Sequence, residues 1–196
     1  MNIGIDVDGT LIDMHGFMLE KGKRFFRRDA SDPYALNIEG MFSCTPKEGK
    51  RFWLRYLVEY CLFPPMIEDA AQTVRRLRCS GHGIYIITSR IYTDREGLAG
   101  LFPRMVVRGL LKRKGVPYDG IAFCKDTGEE KLKYCRKFAI DVMIDDKPEN
   151  LITIGEECPV IVSPMPWNAY LEDKGYIRAK NWANTYDIIT NMMHEC

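Results

Sequence analysis

Apolar residues gather along the chain into short unbroken runs rather than alternating with polar ones. They stand at 2–7 ("NIGIDV"), 83–89 ("GIYIITS"), 120–124 ("GIAFC") and 140–146 ("IDVMIDD"), with a fifth at 159–163 ("PVIVS"). Runs this short and this apolar predict strands buried on both faces. Between them the spacing becomes helical. In 67–81, Ile67, Ala70, Ala71, Val74 and Leu77 share one face, and Gly81 is placed to stop the helix. In 129–139, Leu132, Cys135 and Phe138 fall together in the same way. Strands alternating with helices predict an α/β fold, a doubly wound parallel sheet covered on both faces.

One interval breaks this rhythm. More than fifty residues separate the first strand from the helix at Ile67, too many for a simple crossover. Within it, 15–28 and 47–63 have helical patterns rich in aromatic and charged residues, and 28–45 reads as a polar loop joining them. The expectation is a small helical cap at 14–65, inserted into a core made of 1–13 and 66–196 and closed by Pro64-Pro65.

Composition narrows the function classes. Of 196 residues, 46% are hydrophobic and 28% charged, as in an ordinary globular protein. With 28 Lys and Arg against 27 Asp and Glu, the formal net charge of +1 offers no general attraction to a nucleic acid polymer or an acidic membrane surface. The basic residues from Arg104 and Arg108 to Lys112, Arg113 and Lys114 read as a solvated helix face. Seven cysteines, at 44, 61, 79, 124, 135, 158 and 196, form no C-x-x-C and fit no zinc spacing. With no signal-peptide pattern and no apolar stretch of spanning length, a reducing cytoplasm is the expected compartment.

The first strand ends in chemistry. "DVDGT" places Asp6 and Asp8 one residue apart, followed by Gly9 and Thr10. A calcium loop of the EF-hand type needs glycine sixth and glutamate twelfth, and here Gly9 is fourth. A hairpin turn at Asp8-Gly9 needs a second alternating strand, and the helical pattern after it leaves room for a short flap at most. At the end of a buried strand, Asp6 and Asp8 are expected to point to one side, roughly 6 to 7 Å apart. Two such acids in a partly dry site call for a proton or a cation. In a parallel sheet the other strand ends share that edge, which adds Thr88, Ser89 and Arg90 from the second strand and Asp145 and Asp146 from the fourth. Lys131, on the helix before the fourth strand, can offset a phosphoryl charge, with Lys125 and Lys133 as rivals for the role.

The ordered set "DVDGT", "IITSR", a lysine opening a helix and "IDDKPEN" resembles the haloacid dehalogenase (HAD) superfamily of phosphatases, and the resemblance spans essentially the whole chain. The insertion after the first motif stands where that superfamily carries a helical cap. Its size, with "TSR" and "IDDKPEN", is most similar to the 5'(3')-deoxyribonucleotidase-like branch. The resemblance implies a Mg²⁺-dependent phosphoric monoester hydrolase acting on a small phosphorylated substrate, a (deoxy)nucleoside monophosphate first of all. Asp6 is then the nucleophile that forms an aspartyl-phosphate, and Asp8 the general acid and base. Mg²⁺ is held by Asp6, the Asp8 main-chain carbonyl and Asp146, with Asp145 a direct or outer-shell ligand, and the phosphoryl oxygens by Thr88 and Lys131, with Ser89 in reserve. Dehalogenases of the superfamily lack the second aspartate, since a halide leaves without a proton, so Asp8 favours ester chemistry.

Rival readings are a phosphatase for a sugar phosphate or other small ester, and a non-catalytic module that binds phosphate or a protein. The cap aromatics Phe25, Phe26, Phe42, Phe52, Trp53 and Tyr56 leave two roles open, stacking on a base or packing among themselves. Trp167, Asn168 and Trp182 read as packing, and His15, His82 and His194 form no ligand set.

Overall fold

The five apolar runs become parallel strands, and the order in which they lie side by side creates the crevice. The computed structural model describes residues 1–193, so His194 and Cys196 lie outside it. Strands β1 (Asn2–Ile5), β2 (Gly83–Thr88), β3 (Gly120–Phe123), β4 (Val142–Asp145) and β5 (Val160–Val162) are joined by the two-residue β6 (Ile177–Arg178). The sheet order is β3-β2-β1-β4-β5-β6 with every pair parallel. The chain winds outward in both directions from β1, so β1 and β4 flank the point where the order reverses. Ile3, Ile5, Ile84, Ile86, Val142 and Ile144 are buried to 1% exposure or less, as strands covered on both faces require.

The covering helices are α4 (Ala70–Cys79), α5 (Gly97–Lys114), α6 (Gly128–Lys137), α7 (Pro148–Gly155) and α8 (Trp182–Met192), with a 3-10 helix at Pro166–Lys174. α4 buries Ala70, Thr73, Val74 and Leu77, and Gly81 beyond it takes a positive φ of 88°. Sequence periodicity misses β6 and the 3-10 helix, each too short or too irregular to repeat a pattern. No helix among the described residues is long and apolar enough to cross a membrane.

The interval between β1 and α4 is an insertion of three helices: α1 (Met14–Phe26), α2 (Ile38–Phe42) and α3 (Pro46–Leu62). α3 begins with Thr45 and Glu48 capping one another's backbone N–H groups and with Pro46 in the first turn. The expected polar loop at 28–45 is corrected here. Asn37 caps α2 by accepting from Gly40 N, and Ile38, Met41 and Phe42 are wholly buried. Five residues give too little helical period to reveal this. The chain enters and leaves the insertion side by side: Asp13 N donates to Pro65 O and Ile67 N to Leu11 O, each at 3.0 Å. The predicted flap at Asp8-Gly9 survives only as isolated bridges of Ile12 with Asp8 and Met66.

Candidate active site

β1 stops at Ile5, and beyond it the chain departs from the extended spacing expected of the two acids. Asp6 N still donates to Ile144 O at 3.0 Å, which fixes Asp6 at the carboxyl edge between β1 and β4. The chain then turns through Gly9 at φ +79°. A Cβ on Gly9 would stand 2.3 Å from Asp146 Oδ2, so both the conformation and the approach of Asp146 demand glycine. Asp6 and Asp8 line the same cavity but take different partners. Asp6 turns into a cluster with Asp145 and Asp146, in which one carboxylate oxygen from each lies within 4.8 Å of the others. Asp8 turns away, accepting a hydrogen bond from the Tyr60 hydroxyl and lying 3.1 Å from Arg90 Nη1. Three acid side chains form the cluster, and Asp8 lines the same cavity beside it.

Lys131 enters this cluster from α6. Its Nζ donates to Asp6 Oδ1 at 2.7 Å and to Asp145 Oδ2 at 2.5 Å, and the residue is 1% exposed. Thr127 caps α6 by accepting from Glu130 N, which sets the helix so that its first turn delivers Lys131. Burial works against the ammonium, but Asp145 and Asp6 outweigh it and hold Lys131 charged above its usual range. Lys125 and Lys133, the rival lysines, stand apart from the cluster, and Lys133 pairs with Glu130 on the surface. Asp145 also accepts from Lys147 N at 2.9 Å and from Asn150 Nδ2 at 3.3 Å.

One lysine does not balance three buried acids. Burial pushes the Asp6 carboxyl up to about 7, with Asp145 and Asp8 adding to the rise against Lys131. Asp146 is raised well above the carboxylate range, first by burial and then by Asp145 and Asp6. Without a cation Asp6 and Asp146 favour holding protons. A donor set made of carboxylate oxygens, short of positive charge, suits a hard divalent cation. Asp6, Asp145 and Asp146 can hold a metal ion.

The cluster opens into a cavity of about 340 Å³. Ser89 lines it and donates to Asp126 at 3.0 Å, while Lys147 pairs with the same carboxylate at 2.7 Å. Thr88 sits behind the lining, 1% exposed, its Oγ1 accepting from Arg90 N. Across the cavity stand insertion residues Leu36, Asn37, Trp53 and Leu57. Of the six aromatics singled out in the sequence (Phe25, Phe26, Phe42, Phe52, Trp53 and Tyr56), Trp53 alone reaches the lining. Phe42 and Phe52 are wholly buried in the insertion's own cluster, with Phe25, Phe26 and Tyr56 packed against them.

Sequence reasoning overlooked Tyr60 altogether. The available signal was the row Phe52, Tyr56, Tyr60 at intervals of four, which carries one face of α3 down to the cavity. Trp167, Asn168 and Trp182 do more than pack. Trp167 Nε1 and Asn168 Nδ2 donate to Asp146 O, and Trp182 Nε1 donates to Thr10 O at 3.0 Å. Ser163 Oγ donates to Gly9 O at 3.1 Å. These bonds tie down the backbone on either side of the acids, and contacts this distant in sequence leave no local pattern.

Comparison with known proteins agrees with the geometry. A Bacillus cereus protein described as "Putative nucleotidase" is 29% identical over 98% of this chain and its own full length. A HAD-superfamily hydrolase of subfamily IA from Geobacter sulfurreducens superposes with a TM-score of 0.57 at 14% identity, covering 95% of each chain. The D,D-heptose 1,7-bisphosphate phosphatase from B. bronchiseptica, solved with magnesium and phosphate, superposes with a TM-score of 0.54 at 13% identity over 98% of this chain and 99% of its own. The sequence profile of the 5' nucleotidase, deoxy (pyrimidine), cytosolic type C proteins matches residues 1–194. On a HAD-like sheet with its acids at the switch point, and matched from end to end, the chain belongs to the 5' nucleotidase, deoxy (pyrimidine), cytosolic type C family (NT5C).

Proposed function

We propose that this chain is a Mg²⁺-dependent phosphohydrolase that cleaves (deoxy)nucleoside monophosphates through an aspartyl-phosphate on Asp6. The observation that carries the reading is the meeting of Asp6, Asp145, Asp146 and Lys131 at the floor of one cavity, with Asp8 held apart on its wall. Asp6 Oδ attacks phosphorus as the bond from phosphorus to the ester oxygen breaks, and Asp8 gives its proton to the departing oxygen. Asp8 then takes a proton from water while that water's oxygen bonds to phosphorus and the Asp6–phosphorus bond breaks. Lys131 holds a phosphoryl oxygen and balances the acids, and Ser89, with Thr88 behind it, completes the phosphate cradle. Mg²⁺ held by Asp6, Asp145, Asp146 and the Asp8 main-chain carbonyl supplies positive charge against the phosphate and keeps the nucleophile ionised.

The substrate class is supported by the family. A cytoplasmic setting belongs to the same reading, since the family is named for its cytosolic type and the six described cysteines are free thiols. The test is phosphate release from nucleoside and deoxynucleoside monophosphates, sugar phosphates and glycerol phosphate side by side, with Mg²⁺ and with EDTA. Mg²⁺-dependent turnover is expected, fastest on a deoxynucleotide. A sugar phosphate preferred throughout would reassign the substrate, and no turnover on any ester would remove the enzyme.

A further inference from the structure

Asp8 is fixed by two residues that the chemistry above does not employ. Tyr60 comes from the last turns of α3 in the insertion, and Arg90 lies just past the end of β2 in the core. We propose that Tyr60 and Arg90 form a clamp that holds the Asp8 carboxylate on the insertion side of the cavity. Apart from the Asp6–Asp145–Asp146 cluster, it then serves proton transfer instead of joining the cation's ligands. The proposal rests on the reading of Asp8 as acid and base, and it makes both partners positioning residues.

Three observations support it. First, Asp8 is two residues from Asp6, and a cation bound among the acids would attract its carboxylate as well. Arg90 Nη1 at 3.1 Å gives Asp8 a countercharge of its own on the insertion side. Second, both partners are themselves immobilised. Arg90 is 4% exposed, its Nη2 donates to Tyr60 O at 3.1 Å, and its guanidinium lies 4.6 Å over the Tyr60 ring. The Tyr60 ring packs against Phe17 at 5.0 Å and Trp53 at 5.6 Å. Supports locked in this way can hold a proton-transfer group within the narrow tolerance that catalysis requires. Third, the Arg90 Nη1 hydrogens are off the line of a hydrogen bond to Asp8, although the atoms are at ion-pair distance. The charge attracts the carboxylate while the Tyr60 hydroxyl donates its hydrogen bond. A guanidinium buried only to brace a loop would leave its 3.1 Å approach to Asp8 unexplained.

The clamp also links the two parts of the chain. One jaw belongs to the insertion and the other to the sheet, so Asp8 is correctly placed only when the insertion rests where it does here.

Leaving-group dependence tests this, because a nitrophenolate departs without a proton and an alkoxide does not. The experiment compares wild type, Tyr60→Phe and Arg90→Lys on p-nitrophenyl phosphate and on glycerol phosphate by rapid quench with Mg²⁺. Tyr60→Phe keeps the packed ring, so it stays informative should the arginine variant fail to fold. The expected result is a nitrophenolate burst at the wild-type rate, then turnover slowed about tenfold or more because water activation is impaired. On glycerol phosphate no burst appears, kcat falls at least as far, and KM changes little. Burst rate and turnover on p-nitrophenyl phosphate falling together, as far as turnover on glycerol phosphate does, would show a merely structural role, and unchanged kinetics would show none. Wild type inactive on both esters would overturn the phosphohydrolase reading itself and take the clamp with it.

Discussion

Lys131 is one of the few long side chains that this fold buries completely, and it does so between two acids 125 and 14 positions away. Replacing it by methionine keeps the length and removes the charge, which leaves Asp6 and Asp145 facing each other. Lys131→Met is expected to destabilise the metal-free protein by about 3 kcal/mol, the cost of breaking a buried pair. Denaturant melts in EDTA measure it, and phosphate release should fall below detection. The acids also give a pH dependence of definite sign. Asp6 rises from an ordinary 3.8 to about 7 on folding, so between those values the folded chain keeps a proton that the unfolded chain gives up. Its contribution to stability is full below about 4 and drains away as pH approaches 7, with Asp146 raised in the same direction. Lys131, raised above the usual lysine value, contributes unchanged across this window. Melting temperature in EDTA should therefore drop from pH 4 to 7. Added Mg²⁺ should raise it by more at pH 7 than at pH 5, where protons compete for the same oxygens.

At the scale of elements, the insertion divides its aromatics between two tasks. Phe52 packs with its ring centroid within 6.4 Å of those of Phe25, Phe26, Trp53 and Tyr56 and does not line the active-site cavity, whereas Trp53 does. Phe52→Ala should cost about 3–5 kcal/mol of stability by leaving a void. Trp53→Ala should shift relative kcat/KM among nucleotides with a smaller change in melting. A substrate profile that tracks Phe52 instead would reverse the assignment. The same division marks what the sequence could convey. The parallel strands were legible as unbroken apolar runs and α4 and α6 by their helical period, and the acids were legible because they end those strands. β6 has only two residues, α2 is too short to repeat a helical period, and the 3-10 helix does not follow one. The pairing of Asp8 with Tyr60 and Arg90 was hidden for a different reason: β1 ends one residue before Asp6, so strand spacing does not govern the two acids. Tyr60 and Asn168 act across 52 and 22 positions, which no local reading reaches.

For the whole molecule, the sheet order is what gathers the chemistry. β1 and β4 meet at the reversal point, α6 delivers Lys131 between their ends, and α3 brings Tyr60 down over Asp8. The segment after β5 closes the arrangement from the far side through Ser163, Trp167, Asn168 and Trp182. Residues from both ends of the chain thus converge on one crevice, and the profile that matches residues 1–194 spans all of them. Everything proposed here rests on Asp6 carrying the phosphoryl group. Acid quench during turnover on a deoxynucleoside monophosphate with Mg²⁺, with mass measurement of the resulting peptides, tests it head-on. One added phosphoryl mass is expected on the peptide containing Asp6, lost in Asp6→Asn. Steady turnover with Asp6→Asn, or an adduct on a different side chain, would refute it.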